Sequence, residues 1–426
     1  MSEQHDVFTE RESQVRSYCR SFPHVLNTAV GSLLYDGEGH EYIDFLAGAG
    51  ALNYGHNDPD MKAALMEYIA GDGITHGLDL HTHAKAGFLT AFQDLVLAPR
   101  GMDYRVMFTG PTGANAVEAA LKLARKVTGR HNVIAFTNAF HGGSAGALAA
   151  TGNRHHRMTG QGLHSVTRLP YDGYHGEDVD TAEMLARMLA DPSGGVDAPA
   201  AIILETVQGE GGLNAASPEW LRRIAALAAE HGAQLIIDDI QAGCGRTGTF
   251  FSFEEFGVQP DMVVLSKSLS GFGLPMSIVL IRPELDQWLP GEHNGTFRGN
   301  AHAFITAEVA VRKFWASGEF AETVARRSAM VREALLEMAE LVPGSRVKGR
   351  GMMQGLDVRD EDVSADIRRR CVDHGLLIEA AGPYDEVIKV FAPLTTEDEV
   401  LQRGLGILRT AVQEHLAQSR VPAMSN

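Results

Sequence analysis

The chain has 426 residues, of which 44 % are hydrophobic and 21 % charged, enough for two or three domains with large cores and ordinary for a globular enzyme. Its formal charge of −17 excludes a protein that grips a phosphate backbone, so no nucleic-acid partner is expected. No apolar run approaches the roughly 18 residues that span a bilayer, and MSEQHDVFTERESQ is too polar for a signal sequence, which implies a cytoplasmic protein without a membrane partner.

In chain order, the first landmark is a hairpin-like segment, LLYDGEGHEYIDFLAG (33–48). Helix-like stretches then alternate with short apolar runs at 104–108, 132–136, 200–205, 234–238, 262–265 and 278–281. Helical periods run over 114–128 and 218–231, the second opening on Ser217-Pro218 as N-cap and first-turn proline. The alternation predicts an α/β domain with a mostly parallel sheet, and sites in such sheets collect at the carboxyl ends of the strands. Glu205, Asp238 and Lys267 all fall there. From about 325 onward come a long amphipathic helix, a glycine-containing strand (GRGMMQGLDV), a second helix (SADIRRRCVDHG), a strand (LLIEAA) and a last helix after Thr395. This reads as a smaller α+β domain. The expected division is 1–59 as an N-terminal segment joining the small domain, 60–324 as the large domain and 325–426 as the C-terminal small domain.

Cys19, Cys244 and Cys371 are odd in number and far apart, which excludes a disulfide framework or a CxxC zinc site. The pairs His81/His83 and His155/His156 lack a completing set of ligands, so surface histidines and no metal are expected.

Two apolar runs carry a charge near the carboxyl end: Asp238 in LIIDDIQ (235–241) and Lys267 in MVVLSKS (262–268). A charge beside a V/I/L run is costly unless compensated. A structural Asp–Lys ion pair at the sheet edge would compensate both. So would pyridoxal phosphate, whose pyridinium nitrogen needs a carboxylate to stay protonated and whose aldehyde needs a lysine amine. TGPTGANA (109–116) runs straight into a helical pattern, so the backbone N–H groups of Thr112, Gly113 and Ala114 can cradle a phosphate; a tight turn with an N-cap is the alternative. Phe140, with His141 beside it, follows another apolar run, where an aromatic ring can stack on a flat heterocycle or simply fill core. In ETVQGEGG, Glu205 and Glu210 have neither zinc nor EF-hand spacing and suit switchable partners for a cationic substrate-binding side chain.

Taken together, these segments resemble the class III (ω-amino acid type) pyridoxal-phosphate-dependent aminotransferases, from IDFLAGAGALNYGHNDP to KVFAPLT. The resemblance implies the type I fold, a large domain with a mostly parallel sheet plus a smaller α+β domain. It also implies amino acid and oxo acid substrates and a homodimer or higher homo-oligomer with shared active sites. PTGANAVEAALKLAR is similar to the family's phosphate-binding loop and helix, Phe140 to the ring that stacks on the cofactor, and ETVQGEGG to its acidic loop. In IIDDIQAGCGRTG the resemblance makes Asp238 the partner of the pyridine nitrogen, Ile240 the residue on the opposite ring face and Gln241 the partner of the ring hydroxyl. SKSLSGFGLP then carries the cofactor-binding lysine, Lys267, and GTFRGN carries Thr296, which in this family reaches the neighbouring subunit's phosphate. Within the class, NGTFRGN, HGLD and Arg20-Ser21-Phe22-Pro23 most resemble the diaminobutyrate transaminases of ectoine biosynthesis. That branch moves an amino group between L-glutamate and L-aspartate 4-semialdehyde. The chain departs from the wider class in having Lys389 in place of an arginine and Arg298 in place of a glycine. Both are candidates for the substrate carboxylate, with Glu210 as the switching anion. Other ω-amino acid transaminases, a diaminobutyrate supply for a siderophore or peptide antibiotic, an aminomutase or decarboxylase, and a non-catalytic cofactor sensor are the competing readings.

Overall fold

The computed structural model describes residues 3–158 and 163–419. Strands β1 (Leu26–Val30), β2 (Leu33–Asp36) and β3 (Glu41–Asp44) form an antiparallel meander. Its DGEG turn is tied by the Asp36 carboxylate, which accepts the backbone N–H groups of Glu38 and His40 at 2.9 Å each. The following strands are β4 (Arg105–Phe108), β5 (Val133–Phe136), β6 (Val166–Leu169), β7 (Ala201–Leu204), the short pair β8 (Val207–Gln208) and β9 (Asn214–Ala215), then β10 (Gln234–Asp238), β11 (Met262–Leu265) and β12 (Ile278–Ile281).

Among the described residues, seven of these make one sheet in the order β4-β12-β11-β10-β7-β5-β6. Its β10–β11, β10–β7, β5–β7 and β5–β6 pairs are parallel, and β12 runs antiparallel to both neighbours. Every residue of β5, β7, β11 and β12 is buried, which explains why these strands read as unbroken apolar runs. The edge strand β6 (VTRL) escaped notice because it is mostly half-buried and half polar. Helix Gly113–Thr128 covers one sheet face, packing Val117, Leu121 and Leu123 with Val264, Val279 and Ile281. Helix Pro218–Glu230 covers the other, where Trp220, Leu221 and Ile224 join Leu235, Ile237 and Val263. Each aliphatic side chain buried in this way contributes about 1.5–3 kcal/mol, so the two faces fix the sheet and with it the positions of the strand ends.

Past helix Glu319–Leu341 the chain departs from expectation. GRGMMQGLDV is a hairpin rather than one strand: β13 (Arg346–Arg350) and β14 (Met353–Asp357) are antiparallel, and the chain reverses at Gly351, whose φ of 64° is the left-handed conformation glycine adopts freely. After helix Glu361–Asp373, LLIEAA divides between two sheets. Strand β15 (Leu376–Leu377) pairs parallel with β3, while β16 (Glu379–Ala381) pairs with β17 (Val387–Val390) in the order β13-β14-β17-β16. Strand β17, VIKV, is wholly buried in spite of Lys389 and was not expected. Helix Asp398–Ser419 ends the described chain.

Candidate active site

Asp238 is the last residue of β10 and is buried. One carboxylate oxygen lies 2.6 Å from His141 Nδ1, and the other accepts the Ile240 backbone N–H at 3.2 Å. Lys267 does not end its strand. Strand β11 stops at Leu265, and Lys267 opens a 3₁₀ turn, Lys267–Ser270, with a φ of 50°. A left-handed conformation costs a non-glycine residue about 1–3 kcal/mol, which the surrounding packing must sustain. The Lys267 Nζ donates to the Ala49 carbonyl at 2.8 Å. No ion pair among the described residues joins it to Asp238, so the edge ion pair that could have explained both charges is not formed.

Behind Asp238, His141 is closed to solvent. Burial works against its charge, but the hydrogen bond and charge of Asp238 prevail and hold the imidazole above its usual range. Its backbone N–H donates to Thr151 Oγ1 at 3.1 Å. Glu205 is also buried, and its two oxygens accept the backbone N–H groups of Phe140 at 3.0 Å and Gly209 at 3.1 Å. Burial pushes this carboxyl up to about 7, against the His141 charge and with that of Asp238. Glu205 thus braces the Phe140 loop against the acidic loop through backbone groups.

Helix Gly113–Thr128 starts beside this corner. Thr112 caps it, with Thr112 N–H donating to Asn115 Oδ1 at 3.2 Å, and the first-turn N–H groups of Gly113 and Ala114 are the donors that helix geometry leaves free for an anion. A Cβ on Gly113 would lie 2.7 Å from Ile240 Cδ1, so the helix start and the half-buried Ile240 touch only because residue 113 has no side chain. Phe140 is half-buried. The edge of its ring contact is with His156, at 5.1 Å between centroids. The His155/His156 pair is exposed as expected, yet His156 also borders the site, which nothing in its sequence context signalled.

A second group of charges gathers around β17. Lys389, on β17, is fully buried, with Glu379 Oε1 at 2.9 Å, Gln241 Oε1 at 3.3 Å and Glu210 Oε1 at 3.6 Å from its Nζ. Its ammonium also sits 4.4 Å from the centre of the Phe391 ring. Gln241 Nε2 donates to Glu210 Oε1 and to the Ala49 carbonyl, both at 3.0 Å. Burial alone would raise the Glu210 carboxyl, but Lys389 and then Lys267 outweigh it and hold it at about 2. Glu379 is the member that sequence reasoning passed over. The signal was present, since a glutamate inside LLIEAA is a lone charge in an apolar strand, like Asp238 and Lys267.

Thr296 and Arg298 stand apart. Thr296 is exposed, Arg298 donates to Asn294 Oδ1 at 3.2 Å on its own loop, and no hydrogen bond or ion pair among the described residues links either to Asp238, Lys267, Gln241 or Lys389.

The assembled groups fit pyridoxal phosphate. A free helix N-terminus suits its phosphate, Asp238 its ring nitrogen, and Ile240 and Phe140 are partly open apolar surfaces for its ring. Burial depresses the Lys267 pKa, with Glu210 opposing, and among the described residues the amine has one carbonyl as hydrogen-bond partner, which leaves it available to an aldehyde.

Residues 16–412 match the family model described as aminotransferase class III. A diaminobutyrate--2-oxoglutarate transaminase of Vibrio cholerae is 58 % identical over 96 % of this chain and 100 % of that protein. The protein of the same name from Halalkalibacterium halodurans is 53 % identical over 96 % of each. Among solved structures, an ornithine aminotransferase of Toxoplasma gondii with partial occupancy of PLP superposes with a TM-score of 0.85 at 27 % identity, covering 98 % of this chain and 95 % of that one. A transaminase from the marine bacterium Virgibacillus shares the fold at a TM-score of 0.87 and 18 % identity, covering 98 % of this chain and 100 % of that one.

Proposed function

For this chain, which belongs to the class III aminotransferases and is a pyridoxal-phosphate-dependent transferase, we propose the exchange of an amino group between L-glutamate/2-oxoglutarate and L-aspartate 4-semialdehyde/L-2,4-diaminobutyrate. The observation that carries this reading is likeness along the whole chain to relatives named for that reaction. Ectoine biosynthesis is the destination that the sequence resemblance implies for the diaminobutyrate.

When bound, pyridoxal phosphate supplies an aldehyde carbon and an electron-withdrawing ring. The residues supply the rest. Gly113 and Ala114 hold the phosphate at the helix start, with Thr112 as the cap. Asp238, kept in one orientation by His141, holds a proton on the ring nitrogen. Ile240 and Phe140 would take the two ring faces, and Gln241 would face the ring hydroxyl. Lys267 would hold the cofactor at its aldehyde, and its amine, made less basic by burial, would move a proton from the amine-bearing carbon of the substrate to the aldehyde carbon of the cofactor. Thr296, exposed on one chain, and Arg298, half-buried beside it, complete the site of a second copy, which makes the smallest active unit a homodimer. Mixing inactive Lys267→Ala and Thr296-disrupted chains then restores one intact site per heterodimer; no recovery would place each site within one chain.

The reaction is tested by giving the purified enzyme 2-oxoglutarate with L-2,4-diaminobutyrate, 4-aminobutyrate or L-ornithine and measuring glutamate. Diaminobutyrate is expected to give the highest kcat/KM. A preference for 4-aminobutyrate or ornithine would overturn the substrate assignment and leave the family standing.

A further inference from the structure

Two segments that meet at the Lys267 amine are both left-handed. Lys267 itself has a φ of 50°, and the turn after β3, Ala47–Gly50, has successive φ values of 47°, 57°, 53° and 94°. Ala47, Ala49 and Lys267 carry side chains, so each keeps this conformation only because its surroundings impose it. The Ala49 carbonyl accepts both Lys267 Nζ at 2.8 Å and Gln241 Nε2 at 3.0 Å. The start of its turn is pinned by the Asp44 carboxylate, which accepts the Leu46 and Ala47 backbone N–H groups at 2.8 Å each. The end is pinned by Ser268, whose buried hydroxyl donates to the Gly50 carbonyl at 2.6 Å and accepts the Asn53 backbone N–H at 2.9 Å. Asn53 is itself immobile. Its carbonyl accepts the Leu394 N–H at 2.7 Å, its Oδ1 accepts Arg246 Nε at 3.2 Å, and its Nδ2 donates to the Cys244 carbonyl at 3.0 Å.

We propose that Ser268 is a positioning residue for the reaction: its hydroxyl joins the Lys267 turn to the Ala47–Gly50 turn and so fixes the Lys267 amine against the Ala49 carbonyl while that amine moves a proton. This rests on the aminotransferase reading above and deepens it. An amine that carries a proton from one carbon to another is bonded to neither, and at the end of a flexible lysine side chain it keeps its place only through an acceptor. Ser268 acts on both ends of that arrangement. It is the next residue after Lys267, and its hydroxyl lands on Gly50, the next residue after Ala49. The bond spans 218 positions, so it belongs to neither turn alone. Within the Lys267 turn, the Leu269 N–H donates to the Ser266 carbonyl at 3.0 Å and the Gly271 N–H to the Ser268 carbonyl at 2.9 Å, and these backbone bonds do not need the hydroxyl. Its loss therefore lets the two turns shift against each other without unfolding either.

The glutamate half-reaction of the cofactor-loaded enzyme reads this step, and glutamate with deuterium on its amine-bearing carbon reports the proton transfer within it. Ser268→Ala is expected to lower the rate at saturating glutamate by about 10–10²-fold, with the half-saturating concentration kept within about threefold and the isotope effect undiminished. Apart from turnover, cofactor-free Ser268→Ala protein should regain the visible absorbance of the bound cofactor about tenfold more slowly than wild type when pyridoxal phosphate is added, and to the same final level. Ser268→Thr, which keeps the hydroxyl, should recover both rates. Ser268→Cys, with a much weaker donor in nearly the same volume, decides the matter if Ser268→Ala does not fold. Rates within about threefold of wild type in the folded variants, a loss confined to the half-saturating concentration, or a smaller isotope effect overturns the proposal. A wild-type protein that takes up no cofactor or leaves glutamate unreacted overturns the aminotransferase reading itself, before any variant is compared.

Discussion

Asp238 and Lys389 are both buried charges on strands in apolar surroundings, yet they are compensated in opposite ways. Among the described residues Asp238 has one charged partner, His141, closed like itself. Lys389 shares its charge among Glu379, Glu210 and Gln241, which arrive from three separate segments, one of them partly open. A closed pair has one geometry and suits holding a cofactor still. A shared ammonium with an exposed partner has more than one arrangement, which suits a site that must take chemically different substrates in turn.

The largest effect is expected at Lys267, which both clusters serve. Lys267→Ala should remove the visible absorbance of the bound cofactor and lower turnover by about 10³-fold or more, about 4 kcal/mol, while the circular dichroism stays native. Wild-type absorbance and rate in that variant would refute its role.

Lys389→Met separates the two regions most sharply in stability. It strands Glu210 and Glu379 without their cation, and breaking such a buried group costs about 3–5 kcal/mol. Denaturant unfolding should register that loss; an unchanged midpoint would mean that the cluster is electrostatically idle.

Asp238→Asn tests the closed pair instead. It keeps the shape and removes the charge opposite the ring nitrogen, so kcat should fall by about 10²–10³-fold, about 2.7–4 kcal/mol. Rates within about threefold of wild type would make Asp238 a structural residue.

The smallest effect is the pH dependence of the shared cluster. The Glu210 carboxyl is held at about 2, below the ordinary glutamate range, so its contribution to stability is complete above about 4.5 and is lost as the pH falls toward 2. Its partial exposure limits the term to about 1 kcal/mol. The melting temperatures of wild type and Glu210→Gln should converge across that window, and a constant difference from pH 6 to pH 2 would exclude the ion pair.

The sequence was most legible where burial is uniform. Strands β10, β11 and β12 lie where their apolar runs predicted, because a strand covered on both faces needs an unbroken run whatever its neighbours are. It was least legible where pairing depends on distant segments. The split of LLIEAA between β3 and β17, and the burial of VIKV around a lysine, follow from which strands stand beside it.

By itself the sequence determined the α/β alternation, the lone charges that needed partners and the family resemblance, since periodicity, composition and motif spacing are local properties. Only the tertiary structure decided who compensates whom. Asp238 took His141 from 97 residues upstream rather than Lys267. Lys267 reached Ala49 across 218 positions, and Lys389 gathered Glu379 on the next strand and Glu210 from the loop after β8. The physical reason is that a buried charge is satisfied by whichever group the packing of apolar faces brings within about 3–4 Å, and that packing conserves no order along the chain.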